Sequence, residues 1–386
     1  MTAVNKQLLQ NILLLKEAKK LQKMGFISND QLDLAKIELP VPSSHYNLLF
    51  RLGFFILGSM LYSSISGVIT LFTATFTQDN FEIITLFFAI IGIIISEFLA
   101  KRNYYRFGLD DAFILGFQVS FLGFIWAETG NIFSVFIVMV FLGVLCAVRY
   151  VNSLSALISC IGITGAIVYS VLEYHVIDKL FLPFILFFLA LGIYFIFHRL
   201  NKITKFNVYK NAFLMLQIFS LILGYLSMNY LVVRELSEKL MNIKVTPGND
   251  IPFSFLFYVF TFLVPLLLFI YSLKTKNRNV LYIGFLTLTF SFFTIRYYYA
   301  LVSTEIALIL GGFSVFLTTY FCIKKLKNKD FGITFKPDSE FHGQNQSNSE
   351  ALLSNSQIDL KPKIPIHQNM PFGGGGYSGG GATGGF

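Results

Sequence analysis

Between Leu48 and Ile323 the chain returns again and again to almost wholly apolar stretches of about twenty residues, the length that crosses a bilayer as a helix. A soluble protein could bury one or two such stretches. It could not bury a whole series, because 13% charged residues are too few to cover the surface of a 386-residue globule. The stretches are continuously apolar, whereas the strands of a membrane barrel alternate. The pattern predicts an all-α, polytopic transmembrane helix bundle of about ten spans: 48–76, 81–99, 112–128, 131–148, 154–173, 180–197, 211–233, 253–273, 280–300 and 303–323. The first forty residues lack a short apolar segment with a small-residue cleavage site, so 48–76 is expected to act as an uncleaved anchor.

Basic residues orient this series. With both termini on the cytoplasmic side, 25 of the 30 Lys and Arg fall on that side. Lys179, Arg234, Lys239 and Lys244 face outward, and Arg296 lies within a span. Lys and Arg accumulate in cytoplasmic segments of membrane proteins, so this is the expected topology. It also accounts for the net charge of +9 without nucleic acid, since the basic patches lack an aromatic-interleaved binding surface.

Three regions follow: a cytoplasmic helical hairpin over 1–42, the membrane domain over 48–323, and a tail over 324–386. In the first, Leu8, Ile12 and Leu15 share one helical face, and Leu14, Ala18 and Leu21 extend it. Gly25 suits a helix C-terminus, and Ser28 with Gln31 forms a capping-box pattern before a second helix that Pro40 and Pro42 stop. The unit is too short for its own core, which favours docking or a membrane-surface position over a DNA-reading role. Arg234/Glu238 and Glu235/Lys239, each spaced i,i+4, predict that the seventh span continues two turns into water. The tail is rich in Ser, Asn, Gln, Pro and Gly and is expected to be disordered. Its Gly376-Tyr377-Ser378-Gly379-Gly380 matches the form of a nucleophile elbow but lacks the strand and helix such a turn requires.

Ionisable and amide side chains within spans are the candidates for function, because burying them in lipid is costly. Arg296 and Glu305 flank the last predicted turn and can reach similar depth as a pair; alternatively Arg296 snorkels among Tyr297, Tyr298 and Tyr299. Glu97 stands four residues before Lys101, an expected surface pair. Gln118 and Gln217 lie near mid-span and either line a polar path or bond across helices. Arg51 and Arg149 are expected to snorkel, and Asp110 with Asp111 to cap the third span in preference to holding a metal–phosphate group. Ser59, Ser63 and Gly67 recur every four residues, a small face suited to close helix packing. Glu173, His175 and Asp178 cluster in an outer loop without the scaffold of a metal site. Cys146, Cys160 and Cys322 read as buried small hydrophobes. No catalytic, cofactor-binding or metal-ligating set is expected. A many-helix glycosyltransferase would need a larger first outer loop than the one holding Asp79, and an intramembrane serine protease a buried histidine, whereas all five histidines lie at span ends or in tails.

KKLQKMGFISNDQLDLAKIEL at 19–39 resembles the short helical segment, with its Gly-x-Ile-Ser turn, that precedes the first span in a group of uncharacterised bacterial multi-pass membrane proteins. RYYYALVSTEIALILGGFSVFL at 296–317 resembles their closing hairpin. The resemblance implies a bacterial inner-membrane location and supplies no activity. The expectation is an integral membrane protein with a structural or regulatory role, its partners being the bilayer and a protein met through the hairpin or tail. A small-solute transporter built from inverted five-helix halves is the alternative, and a membrane enzyme the third reading.

Overall fold

A computed structural model describes residues 2–44, 47–73, 81–241 and 250–298, together with isolated helical residues between Ile306 and Lys324. Among these there is no strand; one isolated backbone bridge joins Ser43 to Tyr104. The helices are α1 (Lys6–Lys23), α2 (Asn29–Glu38), α3 (Leu48–Thr73), α4 (Phe81–Lys101), α5 (Leu109–Thr129) and α6 (Ile132–Tyr150). They continue as α7 (Ser153–Leu172), α8 (Leu182–Leu200), α9 (Lys210–Met228), α10 (Tyr230–Met241), α11 (Ser254–Thr275) and α12 (Arg278–Tyr298). Nine of the described helices, α3 to α9 with α11 and α12, are long and apolar enough to cross a membrane, and the chain is an integral, multi-pass membrane protein. Most of the tenth predicted span, 303–323, lies outside the described residues, as does the tail from 325 onward.

Short connections make antiparallel pairs: α4 with α5, α6 with α7, α8 with α9, and α11 with α12. Two helices gather the rest. Helix α5 packs against α3, α4, α6 and α7, while α9 packs against α7, α8, α10, α11 and α12. Small residues set the closest approaches. A Cβ at Gly143 would stand 2.7 Å from the Ser159 backbone nitrogen and 2.9 Å from the Ser155 carbonyl oxygen, so α6 and α7 meet there backbone to backbone. Among the described residues no helix packs on the Gly67 end of the Ser59–Ser63–Gly67 stripe. Ser63 and Gly67 are exposed and nothing lies within 4 Å of a Cβ at Gly67. Helix α3 instead joins the bundle through Gly58, against Ala112 and Leu109, and through Tyr62, which lies beside Gly92 and Gly116.

The N-terminal hairpin forms for the reasons its sequence gives. Ser28 and Gln31 cap each other's backbone N–H at 3.2 and 2.9 Å. Gly25 takes φ +80°, and the N–H groups of Gly25 and Phe26 return to the carbonyls of Gln22 and Leu21, a Schellman end to α1. The hairpin is not free-standing. Val4 and Leu9 enter a buried cluster with Ala100, Tyr105, Ile114, Phe117, Cys146, Tyr150 and Val151, the loop-side ends of α4 to α6. Backbone hydrogen bonds hold its two edges. Ala3 N–H donates to the Arg149 carbonyl at 2.7 Å, and Ser43 exchanges bonds with Asn103 and Tyr105 at 3.0 and 3.1 Å. Between them Asn11 Nδ2 donates to the Pro40 carbonyl at 2.8 Å, closing α1 onto the segment after α2.

The seventh span departs from its predicted form. It does not run unbroken into water: α9 stops at Asn229, whose ψ of 127° is extended, and α10 starts anew at Tyr230. Both predicted ion pairs form on α10, Arg234–Glu238 and Glu235–Lys239, each at 3.4 Å. The break is favoured because Asn229 caps the new helix, accepting from Val232 N–H at 3.3 Å, while Tyr230 N–H finds Thr261 Oγ1 at 3.0 Å.

Candidate functional site

Two networks take up many of the buried polar side chains, one running from the hairpin end to Gln118 near the middle of α5, the other from Asn229 at the far end toward Pro265 near the middle of α11. At the hairpin end the adjacent acids of α5 do different work. Asp110 turns back and accepts the N–H groups of Arg106, Phe107 and Gly108 at 2.8, 3.0 and 2.9 Å, so it fastens the loop ahead of α5 and not the first-turn N–H groups that a cap would take. Asp111 does not cap. Its Oδ2 receives Arg51 Nη2 at 2.6 Å and Nε at 2.8 Å, and its Oδ1 receives Asn152 Nδ2 at 2.8 Å. Arg51 therefore does not simply snorkel; it ties α3 to α5. Asn152 in turn starts α7, accepting from Leu154 and Ser155 N–H at 2.8 and 3.0 Å. Gln118 Nε2 then donates to Ser155 Oγ at 2.7 Å and to the Ile114 carbonyl at 3.0 Å. Arg51, Asp111, Asn152, Ser155 and Gln118 thus form a polar file that links three helices, its last four members almost wholly buried.

Beside it lies a second, wetter cluster. Glu97 does not take Lys101 as its hydrogen-bonded partner. Its Oε1 receives Arg149 Nε at 2.5 Å and the Tyr150 hydroxyl at 2.7 Å, so the expected intrahelical pair is replaced by one between α4 and α6. Arg149 keeps 51% of its side chain exposed, and water weakens the pair accordingly. Tyr105, in the loop beneath, is pushed up to about 12 by burial and stays a neutral phenol.

The far end holds a network that the sequence reading did not single out. Pro265 has no N–H to give the Thr261 carbonyl four residues back. Ser291 Oγ from α12 donates to that carbonyl at 2.5 Å and sits 2.8 Å from the Tyr225 hydroxyl. Asn229 Nδ2 donates to Tyr225 Oη at 2.9 Å and to Thr294 Oγ1 at 3.1 Å. Tyr225, Asn229, Thr261, Ser291 and Thr294 are all at most 2% exposed. Above them Tyr230 donates to Asp250 at 2.8 Å and receives Arg234 Nη1 at 3.1 Å, while the Arg234 guanidinium lies 4.3 Å from the Tyr298 ring centre. Burial raises the Tyr230 phenol above its ordinary range.

The remaining candidates are dispersed. Gln217 Nε2 donates to the Phe197 carbonyl of α8 at 3.1 Å, which is cross-helix bonding as for Gln118. Arg296 lies in the last turn of α12, and Glu305 is outside the described residues, so the pairing suggested for them lies outside as well. His175 Nδ1 meets the Glu173 backbone carbonyl, and Asp178 caps a 3-10 turn at Leu180. Among the described residues no three His, Cys, Asp or Glu side chains gather as a metal site. Cys146 and Cys160 are buried free thiols, as expected, and Cys322 is outside the described residues. A small cavity near Pro183 and Phe257 has about 10 Å³, room for one water at most. Compared with protein-family models, curated proteins and solved structures, the chain matches none.

Proposed function

We propose that this is a structural or regulatory protein of a bacterial inner membrane, acting through its hairpin and tail, with both termini in the cytoplasm. The observation that carries this reading is the built-in hairpin. Val4 and Leu9 enter the apolar cluster at the ends of α4 to α6, and Ala3 and Ser43 are backbone-bonded to the same ends, while most of α2 stays exposed. A rigid membrane body that holds a small helical platform on one side is suited to presenting that platform to a partner. The basic residues of the loops at that end support the orientation. Polar groups within the bundle support the static reading, because Asp111, Asn229 and Ser291, with the Nε2 groups of Gln118 and the half-buried Gln217, spend hydrogen bonds on neighbouring helices.

The carrier reading draws on one specific feature: the helix break at Asn229 faces the proline-interrupted α11, and carriers use broken helices to bind solutes. Depth weighs against the Asn229 break as a binding site, although Pro265 lies near the middle of α11. Helix α9 has already run 19 residues, about 28 Å, when it breaks. That is close to the full hydrocarbon thickness of about 30 Å, whereas carrier sites lie near its middle. The test is accessibility. With Cys146, Cys160 and Cys322 changed to Ala, Gln118→Cys and Gln217→Cys should stay unreactive toward a small water-soluble methanethiosulfonate applied from either side. Ready reaction at both would sink the static reading and favour a hydrated path.

A further inference from the structure

Like charges meet where the hairpin crosses onto the bundle. Ile12 of α1 packs on the buried cluster that holds Val4 and Leu9, and so do Val208 and Tyr209, the residues just before α9. Tyr209 fixes that approach, its hydroxyl donating to the Val148 carbonyl of α6 at 3.1 Å. The next residue, Lys210, is the first of α9 and is part-buried. Its charged neighbours are Glu17, Lys16 and Lys20 of α1. Lys16 and Lys20 follow Ile12 at intervals of four, along one side of that helix. Three ammonium groups from elements far apart in the chain thus converge with a single carboxylate among them. The excess positive charge works against the seating of α1 beside α9, and an anion placed between them would turn repulsion into attraction.

Position narrows what that anion is. Lys210 opens a helix long and apolar enough to cross a membrane. The turn that leads into it mixes exposed Lys202 and Lys205 with Ile203, 45% exposed, and with part-buried Phe206 and Tyr209. Cations, uncovered aliphatic surface and aromatic rings together mark the boundary between bilayer and water. Phospholipid phosphates lie at that boundary. Ammonium groups bind phosphate through charge-assisted hydrogen bonds, and basic pockets beside spanning helices take anionic headgroups.

We propose that Lys16, Lys20 and Lys210 together bind the phosphate of an anionic phospholipid at the seam between α1 and α9. The headgroup pins the hairpin to the bundle, so the charge of the surrounding bilayer sets how firmly the hairpin is seated. This goes beyond the preceding reading. It needs the seated hairpin and the membrane domain, but neither a given orientation nor a protein partner.

The test uses the full chain in lipid vesicles, its three native cysteines changed to Ala and Leu9→Cys added as a reporter. Leu9 is 3% exposed, so a thiol there reacts only when the hairpin lifts. N-ethylmaleimide crosses the bilayer, so orientation does not enter. Labelling should be about tenfold slower in vesicles containing phosphatidylglycerol than in phosphatidylcholine alone, a coupling within the usual range for two linked events. Lys16→Gln, Lys20→Gln and Lys210→Gln together should make the two rates equal, and the same three positions changed to Arg should keep them apart. A control with Lys36→Gln, Lys101→Gln and Lys274→Gln should also keep them apart. Native mass spectrometry of the chain without the reporter should show a retained phosphatidylglycerol that the glutamine variant of the seam loses. Equal rates in the two lipids for the parent would overturn the proposal. So would loss of the effect in the control, which would reduce it to general surface charge. Inorganic phosphate over neutral lipid, at matched ionic strength, should leave labelling fast; full protection by it would assign the site to a soluble anion and overturn the lipid assignment.

Discussion

Asp110 and Asp111 show how little separates neighbouring residues in sequence and how much in role. One satisfies three backbone donors ahead of α5, and the other faces a guanidinium from α3 and an amide from the start of α7. The sequence identifies both as acids at a helix start; which one points into the bundle depends on the 100° turn between them and on where α3 lies. The same holds for Glu97, whose partner four residues on is legible from spacing while Arg149 is not, because α6 reaches it only after folding. The two ion pairs should differ in strength. Arg51→Met and Asp111→Leu should each destabilise the protein, and the double variant should recover a coupling of about 1–3 kcal/mol, since Asp111 is buried and a lone charge there is costly. The corresponding cycle at Glu97 and Arg149 should give under about 1 kcal/mol, because the arginine is half in water. Reversible unfolding in mixed micelles measures both, and additive losses at Arg51 and Asp111 would refute the tie between α3 and α5.

Helix ends were the most legible elements and helix interiors the least. Ser28, Gln31 and Gly25 act locally, so their spacing alone predicts the hairpin that forms. The apolar runs likewise predict α3 to α9, α11 and α12, because a bilayer demands them. The break at Asn229 escaped because hydropathy averages over it, and because the Thr261 hydroxyl that receives Tyr230 N–H comes from a helix 31 residues away. The Ser59–Ser63–Gly67 stripe meets no close helix among the described residues for the converse reason: periodicity names a face without supplying the neighbour. Pro265 offers a test at this scale. Ser291→Ala should cost about 0.5–1.5 kcal/mol in the native background, where its hydroxyl serves the carbonyl that proline leaves open. In a Pro265→Ala background α11 can bond that carbonyl itself, and the cost of Ser291→Ala should fall by about half or more. Equal costs in the two backgrounds would separate Ser291 from the proline.

At the scale of the whole molecule, α5 and α9 are the members on which the other helices converge, with α7 between them. Topology is tested most directly by thiol labelling in the cysteine-free chain. Lys205→Cys should react with an impermeant reagent only from the cytoplasmic side and Lys239→Cys only from the opposite side; the reverse pattern would invert the bundle. The anchored hairpin also fixes an order of events during synthesis. Its binding surface includes Tyr105, Cys146, Tyr150 and Val151, so the first 44 residues leave the ribosome long before their seat exists. At translation rates of about 5–20 residues per second, the wait while the chain grows past Val151 is roughly 5–20 s. During that interval the hairpin is an unseated basic helix pair beside a nascent anchor, open to proteases, chaperones and the membrane surface. Nascent chains stalled before Phe117 should lose it to limited proteolysis, and chains stalled well after α7 has emerged should keep it, which makes closure of the N-terminus a late checkpoint of assembly rather than its first step.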